Sequence, residues 1–261
     1  MELFEVVFSG NSIYEMLFFN IKAVLIHPTL HNLEEKNLVF FERWKYLSKS
    51  KHNIEIKGGN VFTSEEEKIY QEKAVYYPEF TKIIAISYAM PTSENGKIIR
   101  HLKRISSEDE SIVIATFMDI LYQLSSDGVK SNPQYFPTLC GHNIINNDIP
   151  LLIKRFIINR KKLEKKQLPF ILKRCLSAKP WDSCVVDTIN VWKFNGNEYN
   201  SLMLISDYLD LKRNIDLDTL DELSKKYWKT EKSEEALEYV SLQSATQTNL
   251  VIQLINELRQ L

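Results

Sequence analysis

The order of its apolar segments limits this chain to one fold class. β-rich apolar runs at 21–27, 81–90 and 135–144 alternate with segments of helical apolar periodicity, of which 106–126 and 233–260 are the longest. Two strands precede the first long amphipathic helix, and a strand followed by a helix comes after it. This order predicts an α/β protein whose mixed central β-sheet is flanked by α-helices.

Composition and charge restrict the partners and the cellular location expected for this α/β chain. The formal net charge is −1, so any attraction to nucleic acid has to come from a local basic patch. Three cysteines without a Cys-x-x-Cys pair argue against a disulfide framework and a zinc knuckle. No apolar run reaches the roughly 20 residues that a membrane span requires. The first residues carry acidic charges, unlike a secretory signal. We therefore expect a cytoplasmic protein with no membrane association, with residues 1–20 as an N-terminal extension and 21–261 as one domain.

Four segments occur in the order typical of a known family. They are YYPEFTKIIAISYA at 76–89, LCGHNIINNDIPLLIKR at 139–155, KPWDSCVVDTINVWKF at 179–194 and EYVSLQSATQTNLVIQLI at 238–255. In this order they resemble the predicted 3′–5′ exonucleases related to the proofreading domain of family B DNA polymerases, which belong to the DEDD exonuclease group. The resemblance spans about residues 21–256 and implies a ribonuclease-H-like fold.

The resemblance also implies a set of site positions. The family hydrolyses phosphodiesters with two divalent metals, held by Asp and Glu of an Asp-x-Glu at the end of the first strand and by one Asp in each of two later motifs. Aligned on AVLIHPT, the first pair of positions holds Ile26 and Pro28. Asp148 retains the second-motif acid. In the third motif Tyr239 retains the tyrosine, and Gln243 occupies the Asp position.

Three of these four metal-ligand positions are therefore not acidic. No Asp-x-Glu occurs anywhere in the chain, and no Asp follows Tyr239, so a shift of alignment does not restore the acids. We expect a catalytically degenerate exonuclease-like domain that serves as a nucleic-acid-binding or scaffolding subunit and needs no cofactor. Asp148 is either a residual metal ligand or a cap for the helix that follows it.

Two alternatives to a non-catalytic binding domain stay open. One is an active exonuclease that uses Mg²⁺ or Mn²⁺ with rewired ligands, for which Asp187 and Glu34 or Glu35 are the candidate acids. The other is a protein–protein interaction module with no nucleic-acid role. The acidic segment 216–238 would suit protein partners.

A basic stretch at 154–174 is the candidate nucleic-acid interface. It contains nine Lys or Arg and one acid, Glu164, in a chain that is nearly neutral overall. Such a cluster can bind phosphates in a salt-dependent way, although charge runs are commonly solvated faces. The expected partners are single-stranded DNA or RNA, or a protein of a replication, repair or defence assembly. The expected contacts are Lys154, Arg155, Arg160, Lys161, Lys162, Lys165 and Lys166, with His142 and Asn143 of the second motif.

Overall fold

The central strand of the molecule is β1, Met16–Leu25, and all ten of its residues are buried. In the computed structural model β1 pairs antiparallel with β2, Thr81–Ala89, and parallel with β6, Thr138–Gly141. The edge strands are β5, Lys103–Ser106, beside β2, and β7, Val185–Asp187, parallel to β6. The sheet therefore has the order β5-β2-β1-β6-β7 and is mixed, as expected from the order of the apolar segments.

The structure describes residues 12–59, 61–94, 97–131, 136–165, 167–177, 184–193, 196 and 201–260. Within these ranges the helices are α1 Leu30–Lys36, α2 Leu38–His52, α3 Ser64–Lys73, α4 Glu110–Ser131, α5 Ile149–Asn159, α6 Phe170–Ser177, α7 Thr188–Lys193, α8 Leu202–Tyr208, α9 Leu220–Lys229 and α10 Ser233–Leu258. A separate hairpin joins β3, Thr92–Glu94, to β4, Lys97–Ile99. A π-helical turn, Ile144–Asp148, leads from β6 into α5.

Both faces of the sheet are covered by helices, because the side chains of β1 alternate between two apolar layers. Leu17, Phe19 and Ile21 pack in the layer formed with α4, α5 and α6. Met16 and Phe18 pack in the opposite layer, which contains residues of α8 and α10. A strand that is buried on both faces reads as a continuous apolar run, which explains why β1 carries no visible alternation in the sequence.

The first strand differs in detail from the sequence-based expectation. β1 begins at Met16, so residues 16–20 are part of the sheet and do not precede it. The helical segment that follows is divided at Asn37, which caps α2. A capping box of Thr63 and Glu66 begins α3.

The strands that follow β2 belong to two different sheets. β4 pairs with β3, and it is β5 that pairs with β2. The helices expected after Asp148 and over 233–260 are confirmed as α5 and α10, with Pro150 in the first turn of α5. No helix in the described ranges combines the length and the apolar character that crossing a bilayer requires.

Candidate functional site

Two polar residues interrupt the apolar strand β1 on one of its faces. Asn20 and Lys22 are two positions apart and are each only 4% exposed. Residues at this spacing share a face of a strand, here the face that α10 covers. The Lys22 ammonium (Nζ) donates a hydrogen bond of 2.7 Å to Oε1 of Gln247 on α10. A strand lysine is thereby fixed inside the protein by a side chain from the last helix.

A buried carboxylate, that of Asp148, lies beside Asn20 and Lys22. Burial raises the pKa of Asp148 to about 7, while the Lys22 ammonium, the Ile21 backbone N–H and the Asn20 amide favour its charged form. Burial lowers the pKa of Lys22 to about 8, and the carboxylates of Asp148 and Asp218 oppose that change. The two groups therefore compensate each other's charge. We refer to Asn20, Lys22, Asp148 and Gln247 as the Lys22 cluster.

The Lys22 cluster contains buried oxygens without hydrogen-bond partners, namely Oδ1 of Asn20 and Oδ2 of Asp148. Asp148 also makes no capping hydrogen bond, because its own backbone is already helical at the start of α5. The cap interpretation of Asp148 is therefore wrong. Buried acceptors without donors are rare in native proteins and mark places where a water or ligand is expected.

A cavity of about 550 Å³ opens in front of the Lys22 cluster. This volume is within the usual range for small-molecule and cofactor sites. A second cavity, of about 120 Å³, extends it, and the two share Ile21, Tyr76, Asn147 and Leu220. The extension reaches Lys154, and Tyr76 at the junction is 60% exposed. Together the two cavities form a groove, lined also by His142, Asn143, Ser201, Leu202, Met203, Leu217, Asp218 and Thr219.

One wall of the groove is the segment 216–219, which α10 holds in place. The Gln243 side chain accepts a hydrogen bond of 3.0 Å from the backbone N–H of Asp218 and donates one of 3.0 Å to the carbonyl of Asp216. Tyr239 donates from its hydroxyl to the Asp218 carboxylate at 2.6 Å, and that carboxylate also pairs with Lys226 at 2.7 Å. Gln243 and Tyr239 therefore position the groove wall and do not contact Asp148.

Ile26 and Pro28, the expected first-motif positions, lie beyond the end of β1. The Ile26 backbone N–H donates to the carbonyl of Phe80, and the Pro28 carbonyl accepts from Gln71. Pro28 lines a different cavity, of about 290 Å³. The face that meets Asp148 instead carries Asn20 and Lys22. The polar pair that lines the groove is therefore displaced by six residues from the expected first-motif positions.

On α10 the residue that meets Lys22 is Gln247, one helical turn beyond Gln243. The sequence did contain a signal for these positions: two polar residues at i and i+2 inside an apolar run, and two glutamines at i and i+4 on one helix.

The second-motif residues His142 and Asn143 form the turn between β6 and the π-helical turn. Asn143 has φ 60°, in the left-handed region, and its backbone N–H donates to Asp187 at 2.6 Å. The second oxygen of Asp187 accepts from the N–H of Ile145 at 3.0 Å. His142 forms a 2.9 Å hydrogen bond with Thr188. Asp187 thus shapes this turn, and burial raises its pKa against the backbone N–H groups that favour its charged form.

The other acids considered as replacement ligands are engaged away from Asp148. Glu34 accepts a hydrogen bond from the backbone N–H of Gly59 at 3.2 Å. Glu35 pairs with His31 at 3.1 Å on the surface of α1. Neither residue lines the groove.

The basic stretch separates into buried and exposed parts. Arg155 is a buried residue: its guanidinium pairs with Glu110 and also donates to the carbonyl of Pro78 at 3.1 Å. Arg155 therefore cannot contact a nucleic acid, contrary to expectation. Lys165 pairs with Asp119, and Lys166 lies outside the described residues. Lys154, Arg160, Lys161 and Lys162 are exposed, and Lys154 is the one that lines the groove.

The Lys22 cluster does not fit two divalent metals. It offers one carboxylate, two neutral amides and one ammonium, whereas Mg²⁺ and Mn²⁺ favour several carboxylate oxygens. Over the ranges the structure covers, no three His, Cys, Asp or Glu side chains are grouped as a metal site requires. The arrangement can accept hydrogen bonds and hold one positive charge in a cavity.

Comparison with protein-family models, curated proteins and solved structures found no match to this chain.

Proposed function

We propose that this chain is a non-hydrolytic domain of the 3′–5′ exonuclease type, with a ribonuclease-H-like fold, that binds single-stranded nucleic acid. The observation that carries the proposal is the Lys22 cluster, in which an ammonium and two amides line the floor of a groove and a single carboxylate is buried beside them. Such a site keeps the shape of a binding site without the groups that hydrolysis needs.

The fold supports the resemblance on which this proposal depends. The four family-like segments correspond to β2 with the turn before it, β6 with the start of α5, β7 with α7, and α10. The strands among them lie on both sides of β1 in the sheet, and α10 contributes Gln247 from above it. Three of the four segments, 76–89, 139–155 and 238–255, thus contribute residues to one groove although they are far apart in the sequence.

The shifted register supports loss of hydrolysis. If the resemblance holds, Asn20, Lys22, Asp148 and Gln247 stand at the four metal-ligand positions. Two-metal hydrolysis depends on metal ions to activate water and to stabilise the leaving oxygen. One carboxylate beside an ammonium cannot hold two such ions, so the chemical step has no catalyst.

The groove supports binding of a single strand. Exposed Tyr76 at its junction offers a ring on which a base can stack, and Lys154 at its end offers a charge for a phosphate. The main cavity combines apolar walls from Leu202, Met203 and Leu217 with a polar floor. A nucleotide has the same division between an apolar base and polar sugar and phosphate.

The first test is hydrolysis of 3′-labelled single-stranded DNA and RNA with Mg²⁺ or Mn²⁺. We expect no degradation by the wild type. The parallel Asp148→Ala variant identifies contaminating nuclease, because a contaminant would act equally in both samples. Degradation by the wild type and not by Asp148→Ala would contradict the proposal.

The second test is binding, measured by fluorescence anisotropy of a labelled oligonucleotide in EDTA over a range of salt concentrations. Tyr76→Ala and Lys154→Ala should each weaken binding, Tyr76→Ala by about tenfold because one stacked base contributes about 1–3 kcal/mol. The matched controls are Tyr46→Ala, exposed on α2, and Lys161→Ala, exposed beyond the end of α5; both should bind normally.

The binding result also separates the alternatives. A loss in Lys161→Ala without one in Lys154→Ala would place the interface on the basic stretch and not in the groove. An absence of salt-sensitive binding to either DNA or RNA would overturn the proposal and favour a protein partner.

A further inference from the structure

We propose that Lys22 is a built-in cation that takes the place of a metal ion and keeps this site free of divalent metals. The inference rests on the proposed function only for the location of the site. It holds whether or not a nucleic-acid strand enters the groove.

The position of Lys22 is that of an ion among its ligands. Its ammonium donates to the side-chain oxygen of Gln247 at 2.7 Å and is attracted by the carboxylates of Asp148 and Asp218. These oxygens come from α10, the start of α5 and the segment before α9. The side chain is almost wholly buried, and β1 is held on both sides by neighbouring strands. The ammonium therefore cannot move to the surface without disturbing the centre of the sheet.

The charges of the site favour one small cation and disfavour a larger charge. The Lys22 ammonium balances the Asp148 carboxylate, and the Asp218 carboxylate at the same cavity is paired with Lys226. A divalent ion placed beside Asp148 would face that ammonium at short range in a medium of low dielectric constant. It would also have to lose water, which Mg²⁺ does reluctantly, in exchange for neutral amide oxygens. Lys22 thus determines which ions can bind at the site.

A matched pair of variants isolates this role. Gln247→Asp adds a second carboxylate and keeps the ammonium. Lys22→Gln/Gln247→Asp adds the same carboxylate and removes the ammonium. The two proteins differ in one side chain, so a difference in metal binding reports on Lys22 alone. Lys161→Gln/Gln247→Asp is the control with the same net charge, because it removes an exposed lysine beyond the end of α5 that does not line the groove.

The measurement is Mn²⁺ binding by isothermal titration calorimetry, with Mn²⁺-dependent Tm as a second readout. We expect Lys22→Gln/Gln247→Asp to bind Mn²⁺ at least tenfold more tightly than Gln247→Asp, and its Tm to rise with Mn²⁺ and fall again in EDTA. Wild type and Lys161→Gln/Gln247→Asp should show neither effect. Equal Mn²⁺ binding by Gln247→Asp, or by the Lys161 control, would overturn the inference.

The inference remains testable if the double variant does not fold. If circular dichroism shows that Lys22→Gln/Gln247→Asp is unfolded without metal, Lys22→Glu replaces it, because that variant exchanges the ammonium for a carboxylate on the same strand. Folding or Tm of Lys22→Glu that depends on Mn²⁺ supports the inference, and Mn²⁺-independent behaviour contradicts it. No nucleic acid is present in these experiments and no metal in the oligonucleotide titration, so the two proposals fail separately.

Discussion

Two buried charge clusters lie close to the same sheet, and they differ in how completely their hydrogen bonds are satisfied. In the first, Glu110 accepts from the Arg155 guanidinium, from the Asn159 amide at 2.7 Å and from the backbone N–H of Ile83 at 2.7 Å. In the second, the Lys22 cluster, Oδ2 of Asp148 and Oδ1 of Asn20 have no partner, and a cavity lies in front. We call the Glu110 cluster closed, because its carboxylate oxygens have hydrogen-bond partners, and the Lys22 cluster open, because two of its oxygens have none.

This difference separates a structural role from a binding role. The closed cluster joins β2, α4 and α5, and every oxygen of its carboxylate is used. A buried charge that is left unsatisfied costs free energy, so a protein keeps one where something else compensates. The open cluster retains acceptor oxygens and a charge beside an accessible space, which is the arrangement expected of a site.

The largest effect is expected at the closed cluster. Arg155→Met leaves the Glu110 carboxylate buried without its cation, and breaking a buried pair in this way costs about 3–5 kcal/mol. Urea unfolding should show this loss in the free energy of unfolding. Lys165→Met breaks an exposed pair with Asp119 and should cost less than about 1 kcal/mol. Equal losses in the two variants would mean that closure contributes no stability.

A smaller, pH-dependent effect is expected at the open cluster. Because the pKa of Asp148 is raised from 3.8 to about 7 in the folded protein, its contribution to stability is fully present below pH 4 and is lost as the pH rises through 7. Between pH 4.5 and 7.5 the wild type should lose about 3 kcal/mol from this group. Lys22, with a pKa lowered to about 8, changes its protonation mainly above this window.

The measurement is the free energy of unfolding at pH 4.5 and 7.5 for wild type and Asp148→Asn. Other carboxyl groups titrate in both proteins, so the quantity of interest is the difference between the two pH dependences. Wild type should lose more stability than Asp148→Asn as the pH rises. Parallel pH dependences would show that Asp148 is not held in a perturbed, open environment.

The smallest effect is expected at Gln243, a hydrogen-bonded residue next to the open cluster. Gln243→Leu removes the hydrogen bonds to the backbone of Asp216 and Asp218 and should cost about 1–3 kcal/mol. Gln253→Leu is the matched control, because Gln253 binds both backbone groups of Lys212 in a more exposed place. Hydrogen exchange at the Asp218 amide should accelerate in the first variant only. Unchanged exchange would mean that Gln243 does not hold the groove wall.

The sequence was sufficient to predict the α/β class, the mixed sheet, the strands β2 and β6 and the long helices α4 and α10. These elements have clear periodicity, caps or turn residues. The first strand was displaced because it is buried on both faces and shows no alternation. Asn20 and Lys22 then read as interruptions of an apolar run, although they are the residues that face Asp148.

The sequence predicted that few acids are available for the candidate site, and it did not predict which residues meet there. The scarcity of acids is a property of the whole sequence, so it did not depend on alignment. Which residues meet depends on the position along α10 at which this helix crosses β1. That position is set by the packing of side chains such as Phe18 and Leu250. The burial of Arg155 was likewise hidden, because its partner Glu110 is distant in the sequence.

The placement of β1 at the centre of the sheet has a consequence for folding. Its partner strands end at Ala89 and Gly141, so one side of β1 stays unpaired until residue 141 has been synthesised. Contacts between residues so far apart raise the contact order and slow folding. During that interval a long apolar strand is exposed to aggregation. Asn20 and Lys22 place two polar groups in the middle of this strand, so they also act as gatekeepers in the nascent chain.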